Sequence, residues 1–377
     1  MDLNFTETQD IVRTTAREFM ARYYPKSLVR ELEEEPIGFR EDIWKEVANL
    51  GWLGWVIPEE YGGVGGDFME LIVLLEEMGK ACFMLPFFST VICSLPIIAA
   101  GTKEQKEELL PKIAQGEMIF SLALTEPSAT YEAAGIETKA VADGNEYVIN
   151  GTKLFIHDAQ VAHSFLCAAR TETDEANPEN GITLFVVDAK SPGIKITPLD
   201  AIADDKQTEV IFKDVKVSKD SMIGEVNQGF PLIKRMLEQA AVAKCAEMIG
   251  GADWMVENCV AYALERVQYG KLIGSYGIIQ SYLSEMWAEV GIAKRLMYYA
   301  AWLVVQGGPC AKEVAMAKSL TSEVYRSQSR MGVQIFGGIG TTREHDMGLY
   351  YRRARQSALL FGDPNSMRER VAQEIGL

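Results

Sequence analysis

The chain has 377 residues, with 53 Asp plus Glu against 37 Lys plus Arg, a formal net charge of −16 and a pI near 4.8. That balance excludes nucleic acid and anionic membrane surfaces as partners, because both require a basic footprint. Hydrophobic residues at 48% and charged residues at 24% describe a globular chain with a sizeable core, and at roughly 100–200 residues per domain the length accommodates about two to three domains.

The opening MDLNFTETQD has neither a basic n-region nor an apolar h-region, so the expected location is cytoplasmic. Thr6-Glu7-Thr8-Gln9 reads as a capping box, and Ile11, Val12, Ala16, Phe19 and Met20 follow at helical spacing. Glu59–Gly66 is a glycine-rich loop, after which Met69–Met78 resumes helical periodicity with its acidic residues expected on the outer face. Residues 81–102 carry no charge, yet Pro86, Pro96, Ser89, Thr90, Ser94 and Gly101 interrupt them, which predicts a buried helical segment rather than a membrane span. Thr102-Lys103-Glu104-Gln105 is a second capping box, opening a helix toward Gly116. Residues 1–117 therefore read as an all-α domain.

From 118 to 225 the pattern shifts to short apolar runs at Val141, Tyr147–Ile149, Leu154–Ile156, Ile182–Val187, Val210–Phe212 and Val215–Val217. Asp143-Gly144-Asn145, Asn150-Gly151, Ser191-Pro192-Gly193 and Lys213-Asp214 read as the turns between them. A small antiparallel β-sandwich or barrel is expected here. Pro231, Pro309 and Pro364 bound two long proline-free intervals rich in Ala, Leu, Met, Glu and Arg, which predict a C-terminal α-helical bundle over 226–377. The fold class is thus α+β multidomain, with domains at 1–117, 118–225 and 226–377.

Several chemistries lack their residues. Six widely spaced cysteines with no CxxC pair read as buried reduced thiols. Only His157, His163 and His345 are present, without HExxH or a Cys/His cluster, so no metal site is expected and each imidazole reads as surface or structural. Gly337-Gly338-Ile339-Gly340 lacks the third glycine of GxGxxG and follows a helical pattern, which disfavours a nicotinamide fold. No GxSxG elbow supports a hydrolase. The basic run Tyr350–Arg355 reads either as a solvated helix face or subunit contact, or as an anchor for an anionic ligand.

Four strings in fixed order resemble the acyl-CoA dehydrogenase family over essentially the whole chain: Pro58-Glu-Glu-Tyr-Gly-Gly63, Leu124-Thr-Glu-Pro127, Glu265-Arg-Val-Gln-Tyr-Gly270 and Gln334-Ile-Phe-Gly-Gly-Ile-Gly340. The resemblance implies an FAD-dependent oxidoreductase acting on the CH–CH group of an acyl-CoA thioester. It also implies a tetramer, homomeric or heteromeric, and electron-transferring flavoprotein or another acceptor as electron partner. Carried over position by position, the FAD residues are Leu122, Leu124, Thr125, Thr130, Tyr131, Phe155, His157, Arg266, Tyr269, Gln334, Gly337, Gly338 and Asp363. Arg266 would pair with the pyrophosphate, since a guanidinium fork suits phosphate oxygens, and the glycines would allow close backbone approach to the adenosine half.

Departures from the family pattern are informative. Phe155 stands at the usual Trp position near the flavin, and His157 replaces the usual Thr facing flavin N5. Ser128-Ala-Thr-Tyr-Glu132 replaces Gly-Ala-Gly-Ser-Asp, placing bulky Tyr131 at the flavin and CoA arm. Glu238 matches an acid near the CoA moiety, but Ala241 replaces the following arginine, leaving Lys234 or Arg235 as CoA cations. The resemblance assigns substrate contacts to Tyr131, Glu238, Phe361 and Gly362.

Family chemistry uses a carboxylate to remove the α-proton while flavin N5 takes the β-hydride. Here Phe361 and Ala240 occupy the two positions where family members keep that carboxylate. Asp158, Tyr131, Glu238 and Asp363 are the remaining candidates, although Asp363-Pro364 also reads as the N-cap and N1 of a last helix. Three functions accommodate this. The chain dehydrogenates an unusual acyl-CoA, such as an alicyclic or aryl-substituted one, with a base elsewhere; it is the base-less subunit of a heteromeric dehydrogenase; or it is a flavin-free CoA-binding or assembly protein. Arg266, Gln334 and the glycines favour FAD binding.

Overall fold

A computed structural model describes residues 5–377. Six helices come first: α1 (Glu7–Tyr23), α2 (Lys26–Glu34), α3 (Glu41–Asn49), α4 (Phe68–Ala81), α5 (Phe87–Ala100) and α6 (Lys103–Ala114). Eight strands follow: β1 (Phe120–Ala123), β2 (Lys139–Asp143), β3 (Glu146–His157), β4 (Ser164–Arg170), β5 (Ile182–Asp188), β6 (Ile194–Pro198), β7 (Gln207–Ser218) and β8 (Met222–Ile223). The chain ends with α7 (Gly229–Glu265), a short hairpin of β9 (Val267–Gln268) and β10 (Lys271–Leu272), α8 (Gly277–Gln306), α9 (Ala311–Phe336), α10 (Met347–Ser357) and α11 (Pro364–Glu374).

These elements pack as two compact units: a helical unit of the chain up to Arg30, Phe68–Phe83 and Glu238–Leu377, and a mixed unit of Glu31–Asp67 and Met84–Leu237. Both expected capping boxes form, with Thr6 Oγ1 accepting from Gln9 N and Thr102 Oγ1 from Gln105 N, each at 3.2 Å. The charge-free stretch yields α5, whose Phe87, Val91, Ile92 and Ile97 are buried. Among the described residues no helix is long and apolar enough to cross a membrane.

In the helical unit the expectation for α4 needs correction. Glu76 and Glu77 are buried instead of lying on an outer face. Arg17 clasps Glu77 with Nη2 at 2.5 Å and Nε at 3.1 Å, while Lys294 and Tyr298 Oη hold Glu76. Helical spacing reveals which residues share a face, but not that a basic partner elsewhere permits a carboxylate to turn inward.

In the mixed unit the strands form one largely antiparallel sheet of order β6-β7-β3-β2-β4-β5-β8, with β1 adding in parallel beside β4. Its core holds Tyr147 against Phe185 and Phe165 against Phe212, at centroid separations of 5.2 and 5.9 Å. Asp143-Gly144-Asn145-Glu146 closes the β2–β3 hairpin, as expected, with Gly144 at φ +59°. Two other turn signals are not turns. Asn150-Gly151 lies inside β3 and Lys213-Asp214 inside β7, facing each other where the register shifts; Asp214 N donates to Asn150 Oδ1 at 2.8 Å. The residue types that suit a turn also suit a bulge, since both need a local break in the ladder and a left-handed residue, here Asp214 at φ +53°. Strand β4 escaped the sequence reading because Ser164–Ala169 are all buried, which erases alternation.

Candidate functional site

The mixed unit gathers the residues expected at the flavin ring around the ends of β1 and β3. Leu122 lies on β1 in register with Leu166, and the chain continues into buried Leu124, half-buried Thr125 and buried Glu126. Glu126 accepts the N–H groups of Glu137 and Thr138 at 2.9 and 3.1 Å and pairs with Lys153 Nζ at 2.7 Å. Lys153 Nζ also donates to Leu124 O at 3.1 Å, and Leu154 N to Thr125 O at 2.8 Å. A buried ion pair thus holds the main chain of the Thr-Glu-Pro string. Neither Glu126 nor Lys153 was singled out from the sequence as a site residue; a lysine inside an apolar strand pattern was the available signal.

Phe155 sits in a bulge. Register passes from Lys153↔Val210 to Ile156↔Thr208, so Leu154 and Phe155 oppose one residue of β7. Its φ is +59° and the side chain is 43% exposed, a strained main chain presenting an aromatic ring at the surface of this unit. Two residues on, His157 Nε2 lies 2.9 Å from Asp205 Oδ2, which also accepts from Gln207 Nε2 at 3.2 Å. Ser121 Oγ donates to His157 O, tying β1 to β3. Asp205 and Gln207 were not anticipated, because 48 residues separate Asp205 from its imidazole.

Other positions from the sequence reading belong to the same unit. Thr130 Oγ1 accepts from Glu132 N at 3.1 Å, and Tyr131 is half-buried. Asp158, at φ +61°, is buried and accepts from Ser89 Oγ of α5 at 2.6 Å. That contact gives it a structural task. Lys234 approaches Glu179 at 3.9 Å, and Arg235 is exposed.

The helical unit carries the remaining positions. Arg266 follows α7 and is exposed, without an ion-pair partner among the described residues. Tyr269-Gly270 makes the β9–β10 turn with φ of +51° and +79°, and Tyr269 is 94% exposed. Gln334, Gly337 and Gly338 are exposed at the end of α9, and a Cβ added at either glycine would meet no heavy atom within 4 Å. Phe336 beneath them stacks on Tyr262 at 4.3 Å.

Phe361 follows α10 at φ +57°, and Gly362 at +108°. Fully buried Lys318 donates to Gly362 O at 2.9 Å and to Ser357 O and Ala358 O at 3.3 Å, binding both ends of this string. Burial pushes the Lys318 ammonium down to about 8. Asp363 caps α11, accepting from Asn365 N at 2.9 Å and Ser366 N at 3.3 Å. Burial works to raise its carboxyl, but the hydrogen bonds from Ser366 and Asn365 hold it below the usual carboxylate range. Glu238 Oε1 accepts from Arg370 Nη2 at 2.8 Å, and Ala240 and Ala241 are buried. Among the base candidates Asp158 is engaged by Ser89, Glu238 by Arg370, and Asp363 by a helix terminus.

In the mixed unit an exposed aromatic on a bulge, and in the helical unit an exposed guanidinium and glycines with open space above them, are each of a kind that suits one part of a dinucleotide with a planar ring system. Comparison with known proteins agrees. Residues 6–117, 121–215 and 227–376 match the N-terminal, middle and C-terminal domains of acyl-CoA dehydrogenases. Acryloyl-CoA reductase (NADH) of Anaerotignum propionicum is 32% identical over 100% of this chain and 96% of its own length. The caffeyl-CoA reductase–Etf complex subunit CarC of Acetobacterium woodii is 32% identical over 93% of both chains. Butyryl-CoA dehydrogenase of Megasphaera elsdenii, a solved structure, superposes with a TM-score of 0.93 at 29% identity, covering 100% of each chain.

Proposed function

The chain belongs to the acyl-CoA dehydrogenase family and is an FAD-dependent oxidoreductase of acyl-CoA thioesters; from that premise we propose that it interconverts a ring-bearing acyl-CoA and its 2,3-unsaturated counterpart. The observation that carries the reading is Phe361, an aromatic residue next to Gly362, whose carbonyl accepts from Lys318, at the position matching the family's carboxylate. An apolar ring there favours a ring on the substrate. Two relatives are named as reductases of acryloyl-CoA and caffeyl-CoA, the second an aryl-substituted acryloyl thioester, and the same chemistry suits this chain.

FAD, when bound, supplies the acceptor for the β-hydride. In the mixed unit Leu122, Leu124, Thr125, Thr130, Tyr131, Phe155 and His157 serve the flavin ring. In the helical unit Arg266 holds phosphate oxygens, and Tyr269, Gln334, Gly337 and Gly338 take the adenosine half. Phe361 retains a main-chain N–H that can polarise the thioester carbonyl, while Lys318 keeps that stretch of backbone in place. Gly362 and Glu238 of the helical unit, and separately Tyr131 of the mixed unit, are the proposed substrate contacts; Asp363 acts through α11 and not on the cofactor. The three-domain division at 1–117, 118–225 and 226–377 belongs to the same proposal.

Electron-transferring flavoprotein is the proposed electron partner, in keeping with the Etf complex in which the caffeyl-CoA relative is named. A homotetramer is proposed as well: α8 exposes Ile278 and Ile292 on one face, at 57 and 60%, and Trp287 on another, at 71%, apolar surface that further copies would cover.

The test is anaerobic titration of the purified chain with straight, branched and aryl-substituted acyl-CoAs. Bleaching of bound flavin by aryl or alicyclic substrates in preference to straight ones is the expected result. A colourless protein would favour the flavin-free assembly role. Bound flavin that no acyl-CoA reduces until a partner chain is added would identify a base-less subunit.

A further inference from the structure

The three imidazoles of this chain are not equivalent. His163 Nδ1 accepts from Ile119 N and His345 Nδ1 from Met347 N, each at 3.1 Å, and burial lowers the proton affinity of both. Both are neutral acceptors. His157 instead has a carboxylate: Asp205 Oδ2 at 2.9 Å from Nε2, oriented by Gln207 at 3.2 Å. The side chains of His157 and Asp205 are 25% and 19% exposed, so water screens the pair only in part.

The pair is held from three sides. Gln207 is the register partner of His157 across β3 and β7, Ser121 anchors the His157 carbonyl, and Asp158 N donates to Lys206 O at 3.2 Å, fixing the loop that carries Asp205. The charged and titratable neighbours are mostly acidic. Asp158 follows on β3, held by Ser89 and with Cys93 of α5 nearby; Asp204 and Lys206 flank Asp205; Glu33 and Glu35 act on Lys206; Glu209 lies further along β7. The Asp205 carboxylate, 2.9 Å from Nε2, is placed to stabilise an imidazolium. Imidazole is also the side chain whose charge changes near neutral pH.

We propose that the His157–Asp205 pair is a proton-accepting partner of the flavin couple: when bound FAD takes up two electrons, His157 takes up one proton beyond the one the flavin takes itself. The balance is simple. The hydride carries the two electrons to the flavin, the imidazole goes from one N–H to two with the extra proton drawn from solvent, and its new positive charge offsets the negative charge gained by the ring. Asp205 Oδ2 and Gln207 Nε2 both face Nε2, at 2.9 and 3.3 Å, so the cation is stabilised on that side by a fixed carboxylate. The consequence is an electron carrier whose readiness to hold electrons rises as pH falls. The inference rests on the reading that the Phe155–His157 end of β3 serves the flavin ring.

The experiment is an equilibrium redox titration of the holoprotein with indicator dyes, repeated across neutral pH. Two protons per two electrons are expected for the natural chain over part of that range, and one throughout for His157→Gln. Within the two-proton interval the reduced-to-oxidised ratio of the natural chain at a fixed poise gains about tenfold on that of His157→Gln for each unit by which pH falls. Asp205→Asn keeps the imidazole but removes its carboxylate, and moves the break to lower pH. Equal proton stoichiometry in the natural chain and His157→Gln overturns the proposal while the flavin reading stands. The flavin reading itself fails if Phe155→Ala leaves both FAD affinity and the visible spectrum unchanged, and the proposal falls with it.

Discussion

Lys153 and Glu126 form an ion pair almost wholly removed from water: Nζ lies 2.7 Å from Oε1, with side-chain exposures of 0% and 4%. Each partner also binds main chain, Lys153 at Leu124 O and Glu126 at the N–H groups of Glu137 and Thr138. The pair therefore shapes the turn that follows β1, and its members are fully occupied as ligands of backbone. A glutamate in a family signature string here does conformational work, and chemistry is left to other groups.

Removing one partner strands the other charge in a dry interior, at a cost of about 3–5 kcal/mol. Lys153→Met and Glu126→Gln are each expected to lower the unfolding free energy measured by urea denaturation by that amount, and to weaken FAD retention by loosening Leu124 and Thr125. The double variant should lose less than the sum of the two, because no unpaired charge remains. Strictly additive losses would show that the two side chains act independently.

Asp363 separates a capping role from a catalytic one. Asn caps a helix about as well as Asp, whereas Ala costs about 1 kcal/mol. Asp363→Asn should leave both stability at neutral pH and flavin reduction by acyl-CoA nearly unchanged, and Asp363→Ala should lower stability alone. The folded carboxyl lies below its ordinary range, so its contribution is present above the unfolded pKa and is lost as pH falls through the folded one. Acid titration of the natural chain against Asp363→Asn reads that loss. Slow flavin reduction in Asp363→Asn with unchanged stability would reinstate this residue as the base.

What the sequence disclosed divides along physical lines. Capping boxes at Thr6 and Thr102, the hairpin at Asp143–Glu146 and the N-cap at Asp363 were legible, because each is a local arrangement whose partners lie within a few residues. Asn150 and Asp214 misled, since turn chemistry and bulge chemistry use the same residue types and only the facing strand distinguishes them. Glu76, Glu77, Asp205 and Lys318 were opaque: their partners lie across the fold, and no spacing rule links His157 to Asp205 or Lys318 to Gly362. For the candidate site the family strings name positions and are silent about what holds those strings in shape.

Lys318 supplies a stability test with a definite sign. Burial brings its ammonium from a usual 10.5 down to about 8, so the unfolded chain binds that proton more tightly than the folded one. Stability linked to this group therefore rises with pH across the interval between those values, by roughly 3 kcal/mol in total. Lys318→Met lacks the gain. The difference in urea midpoint between the natural chain and Lys318→Met should widen in favour of the natural chain between neutral pH and about pH 10. A difference independent of pH would mean that the lysine titrates alike in both states.

Phe361 offers the sharpest test of the missing carboxylate. The residue already has φ +57°, its flanking backbone is held by Lys318 through Gly362, and side-chain replacement leaves those main-chain bonds intact. Phe361→Glu puts an acid at the family position on an unchanged backbone. A positioned general base contributes about 10²–10⁴-fold, so the rate of flavin reduction by a straight-chain acyl-CoA should rise by at least the lower figure. Reduction by aryl-substituted substrates should fall, because a carboxylate replaces the apolar surface that favours a ring. Stopped-flow bleaching with both substrate classes measures the two changes together. If the variant gains nothing with straight chains while retaining FAD, proton removal is already served by another group, and the search narrows to Tyr131 and the residues around His157.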